Sequence, residues 1–143
     1  MNDATANNET SHGDDTAYRI FAVLAGIIGC AAVILGALGA HLFREQLEQS
    51  GGTENYQLAK TYLMVHALAL AGVSLQGRLL PSRWTLLAGC CFLLGMLAFP
   101  GSLLVVSLTE WQTAANAAPV GGISLMAGWL LWGIAGWTAR TGR

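Results

Sequence analysis

The sequence predicts an all-α fold: an integral membrane four-helix bundle with both termini cytoplasmic. Three observations carry that expectation. Of 143 residues, 54% are hydrophobic and only 10% charged, where a soluble domain carries about 25% charged residues. Mean hydropathy is +0.51, so too little polar surface remains to keep the chain dispersed in water. Four apolar runs, near residues 20–41, 57–76, 84–108 and 119–138, are long enough to span a bilayer and, past Lys60 in the first turn of the second, hold no Asp, Glu, Lys or Arg in their interiors. In hydrocarbon each backbone N–H and C=O needs an internal partner, so runs of this kind are helices.

Residues 1–18, MNDATANNETSHGDDTAY, are polar and acidic. They have little apolar surface to offset the entropy of ordering, and the expectation is a disordered tail. His12, beside Asp14 and Asp15, reads as solvated. The folded domain is placed at 19–139, followed by a short basic tail at 140–143.

The first run, Ile20 to Ala40, makes a helix about 31 Å long, enough for a hydrocarbon core of about 30 Å. A cleaved signal peptide has a basic beginning and a shorter apolar centre, so this run is expected to remain in the mature protein. Small residues repeat at spacing four in Ala22–Gly26, Ala25–Gly29, Ala32–Gly36 and Gly36–Ala40. Such ridges let helices approach closely in lipid. Gly26, Gly29, Gly36 and Gly39, with Gly121 and Gly122 of the fourth run, are the expected packing glycines; an oligomer interface is the alternative use of the stripe.

The connection REQLEQSGGTENYQLAK follows. Arg44 to Gln49 is expected to extend the first helix, Gly51-Gly52 to stop it, and Thr53 to cap the next, with Glu54 in its first turn. In the third run, LAFPGSLL places Pro100, Gly101 and Ser102 together. Pro100 has no N–H for the Met96 carbonyl, so a kink is expected, with Ser102 or Ser107 serving freed backbone groups. The fourth run opens APVGG, proline being favourable in a first turn. Trp129 and Trp132 lie deep in it, where indole N–H groups want partners; aromatic packing is the expectation. Cys30, Cys90 and Cys91 fall in apolar runs and read as small packed hydrophobes, with no disulfide framework or zinc motif.

Orientation follows from Lys and Arg near the helix ends. Arg19, Arg78, Arg83, Arg140 and Arg143 lie on the side of the termini, against Arg44 and Lys60 on the other. Tyr18, Trp84 and Trp137 fall at the inner ends and Trp111 at the outer, as interface aromatics should.

One constellation stands out as a candidate for chemistry by position alone. Tyr62 precedes His66 by four, and Glu45 follows His41 by four. The two helices are antiparallel neighbours, with His66 about 8 Å deep in its span. A cluster of His41, Glu45, Tyr62 and His66 would bind a metal, carry a proton or hold a quinone head group; alternatively His66 stays neutral and ties two helices together. The chain carries no catalytic triad, phosphate loop, carboxylate pair or dinucleotide fingerprint, so no enzyme, cofactor or metal site is expected. Nearly balanced charge, 7 Lys plus Arg against 8 Asp plus Glu, gives no nucleic-acid footprint.

GALGAH at Gly36–His41, YLMVHALAL at Tyr62–Leu70, FPGSLL at Phe99–Leu104 and APVGG at Ala118–Gly122 together resemble the small membrane proteins grouped as domain of unknown function 423, the YgdD-like or transmembrane-protein-256-like family. The resemblance covers roughly residues 20–138. The chain departs from the family pattern at Leu63, where Gln is usual, at Pro100, where Ser is usual, and at Ala118, where Thr is usual; each departure removes a polar side chain. The resemblance implies a bacterial inner-membrane location, or an organelle membrane in eukaryotes, and no established activity. The expected partners are the lipid bilayer and other membrane-protein subunits or a second copy. The functional expectation is a structural or accessory subunit or homo-oligomer, with transport built on His41 and His66 as the alternative.

Overall fold

The computed structural model describes residues 3–109 and 111–139. Its elements are α1 (Asp3–His41), α2 (Arg44–Ser50), α3 (Thr53–Leu79), α4 (Arg83–Thr109), a 3-10 turn (Gln112–Ala117) and α5 (Ala118–Thr138). Four helical segments, Asp15–His41, Thr53–Leu79, Arg83–Thr109 and Gln112–Thr138, are long and apolar enough to cross a membrane. They match the four predicted runs to within a few residues at all but two ends.

The main departure is at the N-terminus. Helix α1 begins at Asp3, inside the segment whose composition predicts disorder, and upstream of the boundary placed at Arg19. Composition measures whether a segment can bury a core of its own. It does not count propagation: with Ile20 onward already helical, each further residue adds a hydrogen bond without a new nucleus. Arg19 also pairs with Asp15 one turn back at 3.0 Å. Residues 140–143 lie outside the described residues.

Helices α3 and α4 form the centre; α1 packs on α3 and α5 on α4. Lipid tails are as apolar as leucine, so close packing and polar ties, rather than a hydrophobic drive, hold the helices together. The close packing takes a repeated form, an aromatic ring laid on a glycine where a Cβ would collide. Tyr18 covers Gly77, Phe21 covers Gly89, Tyr56 covers Gly39, Phe92 covers Gly128 and Trp132 covers Gly72. Tyr18 and Tyr56 are also tied through their hydroxyls. Tyr18 donates to the Ser82 carbonyl at 3.1 Å, and Tyr56 to the Leu35 carbonyl at 2.7 Å. Tyr18 stands at the helix end, as its position predicts, but is turned into the core at 1% exposure, and its hydroxyl is satisfied by the chain itself. Trp111 and Trp137 are exposed.

Of the six predicted packing glycines, four pack. A Cβ on Gly29 would stand 3.9 Å from Ala67, one on Gly36 would stand 3.5 Å from Lys60, and Gly39 and Gly121 are closed by Tyr56 and by the Ala98–Phe99 backbone. Gly26 and Gly122 have nothing within 4 Å. A spacing of four marks a stripe but not which helix it meets. The cysteines differ in the same way: Cys30 and Cys90 are exposed and Cys91 is half-buried.

Beyond α1 the chain folds back. Helix α1 stops at His41, and α2 is a separate helix rather than its continuation. Leu47 is buried, and Gln46 donates to the Leu108 carbonyl at 3.1 Å, which fastens α2 over the end of α4. Gly51 ends α2 with φ 69°, a left-handed conformation that glycine adopts at no steric cost. The N-cap of α3 is Gly52 with no side-chain cap, and Thr53 is already helical. Gly52 lies against the Ser107 backbone, where a Cβ would come within 2.8 Å of its carbonyl oxygen, so a larger capping residue has no room.

Helix α4 runs unbroken through Pro100, which is fully buried. Ser102 donates to Phe99 O at 2.8 Å and Ser107 to Leu104 O at 3.0 Å. Neither serine reaches the Met96 carbonyl that Pro100 leaves without a donor; each serves a carbonyl three residues back.

Candidate functional site

The predicted four-residue cluster does not assemble. Gly39 faces Tyr56, Gly36 faces Lys60 and Gly29 faces Ala67, so α1 and α3 run antiparallel in a fixed register. His66 is then level with residue 30 of α1, about 16 Å along the axis from His41. It is also the middle residue of α3, about 20 Å from the helix start and near the centre of the span, deeper than the 8 Å expected. The sequence estimate starts the helix too late; Thr53–Tyr56 adds about one turn at the N-terminal end of α3, which accounts for about half of the difference. His41 is exposed where α1 ends, and Glu45 is exposed on α2, accepting from Gln49 at 3.2 Å.

What forms instead is a mid-membrane aromatic layer around His66. Ala67 faces α1, and His66, about 100° round the helix, faces α4 and α5. Its Nδ1 lies 2.8 Å from the Tyr62 carbonyl, and Trp129 Nε1–H donates to its Nε2 at 3.2 Å. An acceptor at Nε2 leaves the proton on Nδ1, so the neutral Nδ1–H tautomer satisfies both contacts. The Tyr62 ring stacks on the imidazole at 5.5 Å, with Phe92 at 5.7 Å and Trp129 at 6.0 Å. Trp132 completes the layer, donating to Gln76 Oε1 at 2.8 Å. Sequence reasoning placed both indoles deep and in want of acceptors, and missed that His66 and Gln76 supply them. The signal was there in part: two indole donors deep in an apolar run require two acceptors.

On the lipid side of this layer, α3 and α5 part to leave a groove of about 500 Å³. Tyr62, Val65 and His66 form one wall, Gly122 and Trp129 the other, and Phe99 the floor. It is largely apolar, and α4 contributes Phe99 to it; the predicted segment Pro100–Gly101–Ser102 does not line it. Among the described residues, no three of His, Cys, Asp and Glu come together as metal ligands.

The family model described as "Protein of unknown function (DUF423)" matches residues 35–122. The chain is 33% identical to UPF0382 inner membrane protein YgdD of Escherichia coli K12, over 79% of this chain and 86% of that protein. It is 31% identical to UPF0382 membrane protein C1782.12c of Schizosaccharomyces pombe, over 74% and 92%. It is 30% identical to UPF0382 membrane protein SAB0533 of Staphylococcus aureus, over 79% and 91%. No solved structure matches it. With four spans, a His66-centred aromatic layer and these relatives, the chain is a multi-pass inner-membrane protein that belongs to the DUF423 family.

Proposed function

We propose that the protein is a non-catalytic structural or accessory component of the inner membrane, acting through association of its flanking helices with itself or with another membrane protein. The observation that carries the reading is the outward face of α1. Ala22, Gly26 and Cys30 form an exposed stripe of small side chains at spacing four, and nothing lies within 4 Å of a Cβ on Gly26. The most apolar stretches of α1 and α5 are each 17% buried, against 39% and 44% in α3 and α4. Glycine weakens a helix interior by about 1 kcal/mol relative to alanine, and among the described residues nothing packs close enough to offset that at Gly26.

Both termini are read as cytoplasmic, on the five Arg residues of that side against Arg44 and Lys60 opposite. A C-terminal green fluorescent protein fusion should fluoresce and an alkaline phosphatase fusion should be inactive; the reverse pattern overturns the orientation. Transport on a His41–His66 pair has less support, because the imidazoles stand at different depths and both His66 nitrogens are occupied.

The test of association is native mass spectrometry of protein extracted from its own membrane in mild detergent, with Gly26→Leu in parallel. A heteromeric mass identifies an accessory subunit and a defined multiple of the chain a homo-oligomer. In either case Gly26→Leu should shift the complex toward monomer. A partner-free monomer for the parent chain refutes the proposal.

A further inference from the structure

The groove between α3 and α5 contains one polar group that its own chain leaves unused. Thr61 donates to the Gln57 carbonyl, the Trp129 indole donates to His66, and both imidazole nitrogens are engaged. The Tyr62 hydroxyl has no partner among the described residues and is not sealed in the core. It lines the groove from the half-buried Tyr62 side chain.

Depth decides what can satisfy it. Tyr62 is about 14 Å from the N-terminal end of α3. With the 27-residue span centred on a hydrocarbon core of about 30 Å, its Cα lies about 8 Å inside the apolar region, and the side chain leans toward the helix N-terminus, which brings the hydroxyl nearer the interface. Few waters reach into the apolar region, and an unpaired hydroxyl there is costly. A phospholipid ester carbonyl brings no flat ring to lay on the aromatic walls, and a carboxylate would need a cation that the groove lacks. A neutral, flat, lipid-soluble ring with a carbonyl on its edge meets each condition. Phe99, Tyr62 and Trp129 offer aromatic faces, Tyr62 and Phe99 with centroids 4.7 Å apart. The groove volume of about 500 Å³ lies in the ordinary range for small-molecule sites, roughly 300–1,000 Å³.

We propose that this groove binds the head group of a membrane quinone, a ring carbonyl accepting a hydrogen bond from Tyr62 Oη and the isoprenoid tail lying out between α3 and α5. The step is binding only; no electron transfer is involved. The inference is independent of the association proposed above.

The experiment uses the full chain in phosphatidylcholine nanodiscs free of quinone, titrated with decylubiquinone and followed by quenching of tryptophan fluorescence. Saturable quenching is expected. Tyr62→Phe keeps the ring and removes the donor, and should raise Kd by about 3–10-fold, the equivalent of one neutral hydrogen bond. Gly122→Leu should abolish saturation by filling the groove, and because nothing lies within 4 Å of a Cβ at Gly122, the variant should fold; circular dichroism checks that it does. Linear, non-saturating quenching in the parent protein, or an unchanged Kd in Tyr62→Phe or in folded Gly122→Leu, overturns the assignment.

Discussion

Gly121 and Gly122 are adjacent glycines in the first turns of α5, and alanine should act on them in opposite directions. At Gly121 an added Cβ would stand 2.7 Å from Phe99 Cβ and 2.8 Å from the Ala98 carbonyl carbon, and closer still to the Phe99 nitrogen. Carbon contacts are comfortable at about 3.5–4.0 Å. Relief therefore requires α5 to move out by most of an ångström, because the atoms met are largely backbone and no rotamer change can clear them. Overpacking of this kind costs about 1–3 kcal/mol, and alanine returns at most about 1 kcal/mol of helix propensity. The net expectation is a loss of about 1–2 kcal/mol for Gly121→Ala. At Gly122 nothing lies within 4 Å, so Gly122→Ala should gain up to about 1 kcal/mol. Reversible unfolding in mixed micelles, with sodium dodecyl sulfate as denaturant and far-ultraviolet circular dichroism as probe, measures both on one scale. Equal stabilities, or Gly121→Ala the more stable of the two, would refute the close approach of α5 to α4 at Phe99.

The same assay tests the polar ties. Tyr56→Phe removes a donor held 2.7 Å from the Leu35 carbonyl on a fully buried ring and should cost about 1 kcal/mol. A double-mutant cycle of His66→Phe with Trp129→Phe should give a coupling near 0.6 kcal/mol, typical of side-chain hydrogen bonds between membrane helices; additive effects would mean that the 3.2 Å contact contributes nothing. Gly51→Ala forces a Cβ into φ 69° and should cost about 1–2 kcal/mol, whereas Gly26→Ala, tested as monomer, should be neutral or stabilising.

The helix count was legible because hydrocarbon leaves the backbone one solution, and a long uncharged run reports it directly. Pairings across helices were not. The GALGAH pattern marks where α1 comes close to something, but Gly26 and Gly39 look alike in sequence and only the second meets a ring. His66 was correctly singled out as costly to bury, yet its partner lies 63 residues away on α5 and not at the end of α1, where His41 stands. Tyr18 was assigned to the interface by its place at the end of the first run; the carbonyl of Ser82 and the glycine at 77 that draw it inward are 64 and 59 positions further on. Each miss is a fact about two segments, and one segment's periodicity does not contain it.

One two-segment fact does leave a trace. Tyr18 and Gly39 are twenty-one positions apart on α1, and Tyr56 and Gly77 are twenty-one apart on α3. Because the helices are antiparallel, each tyrosine meets the other helix's glycine: Tyr18 on Gly77 at one end, Tyr56 on Gly39 at the other. The separation is about 31 Å, close to the thickness of the hydrocarbon core, so the two locks bracket the membrane. Sliding α1 by one turn would open both glycine sockets together and break both phenol–carbonyl bonds. Register is thus fixed at the ends, by rings and hydroxyls, and the middle of α1 is released from that duty. This is why a helix so little buried holds one orientation, and why its outward Ala22–Gly26–Cys30 face is a defined surface rather than an average over sliding states. A partner helix can recognise such a surface; a freely sliding one would present a different face at each register.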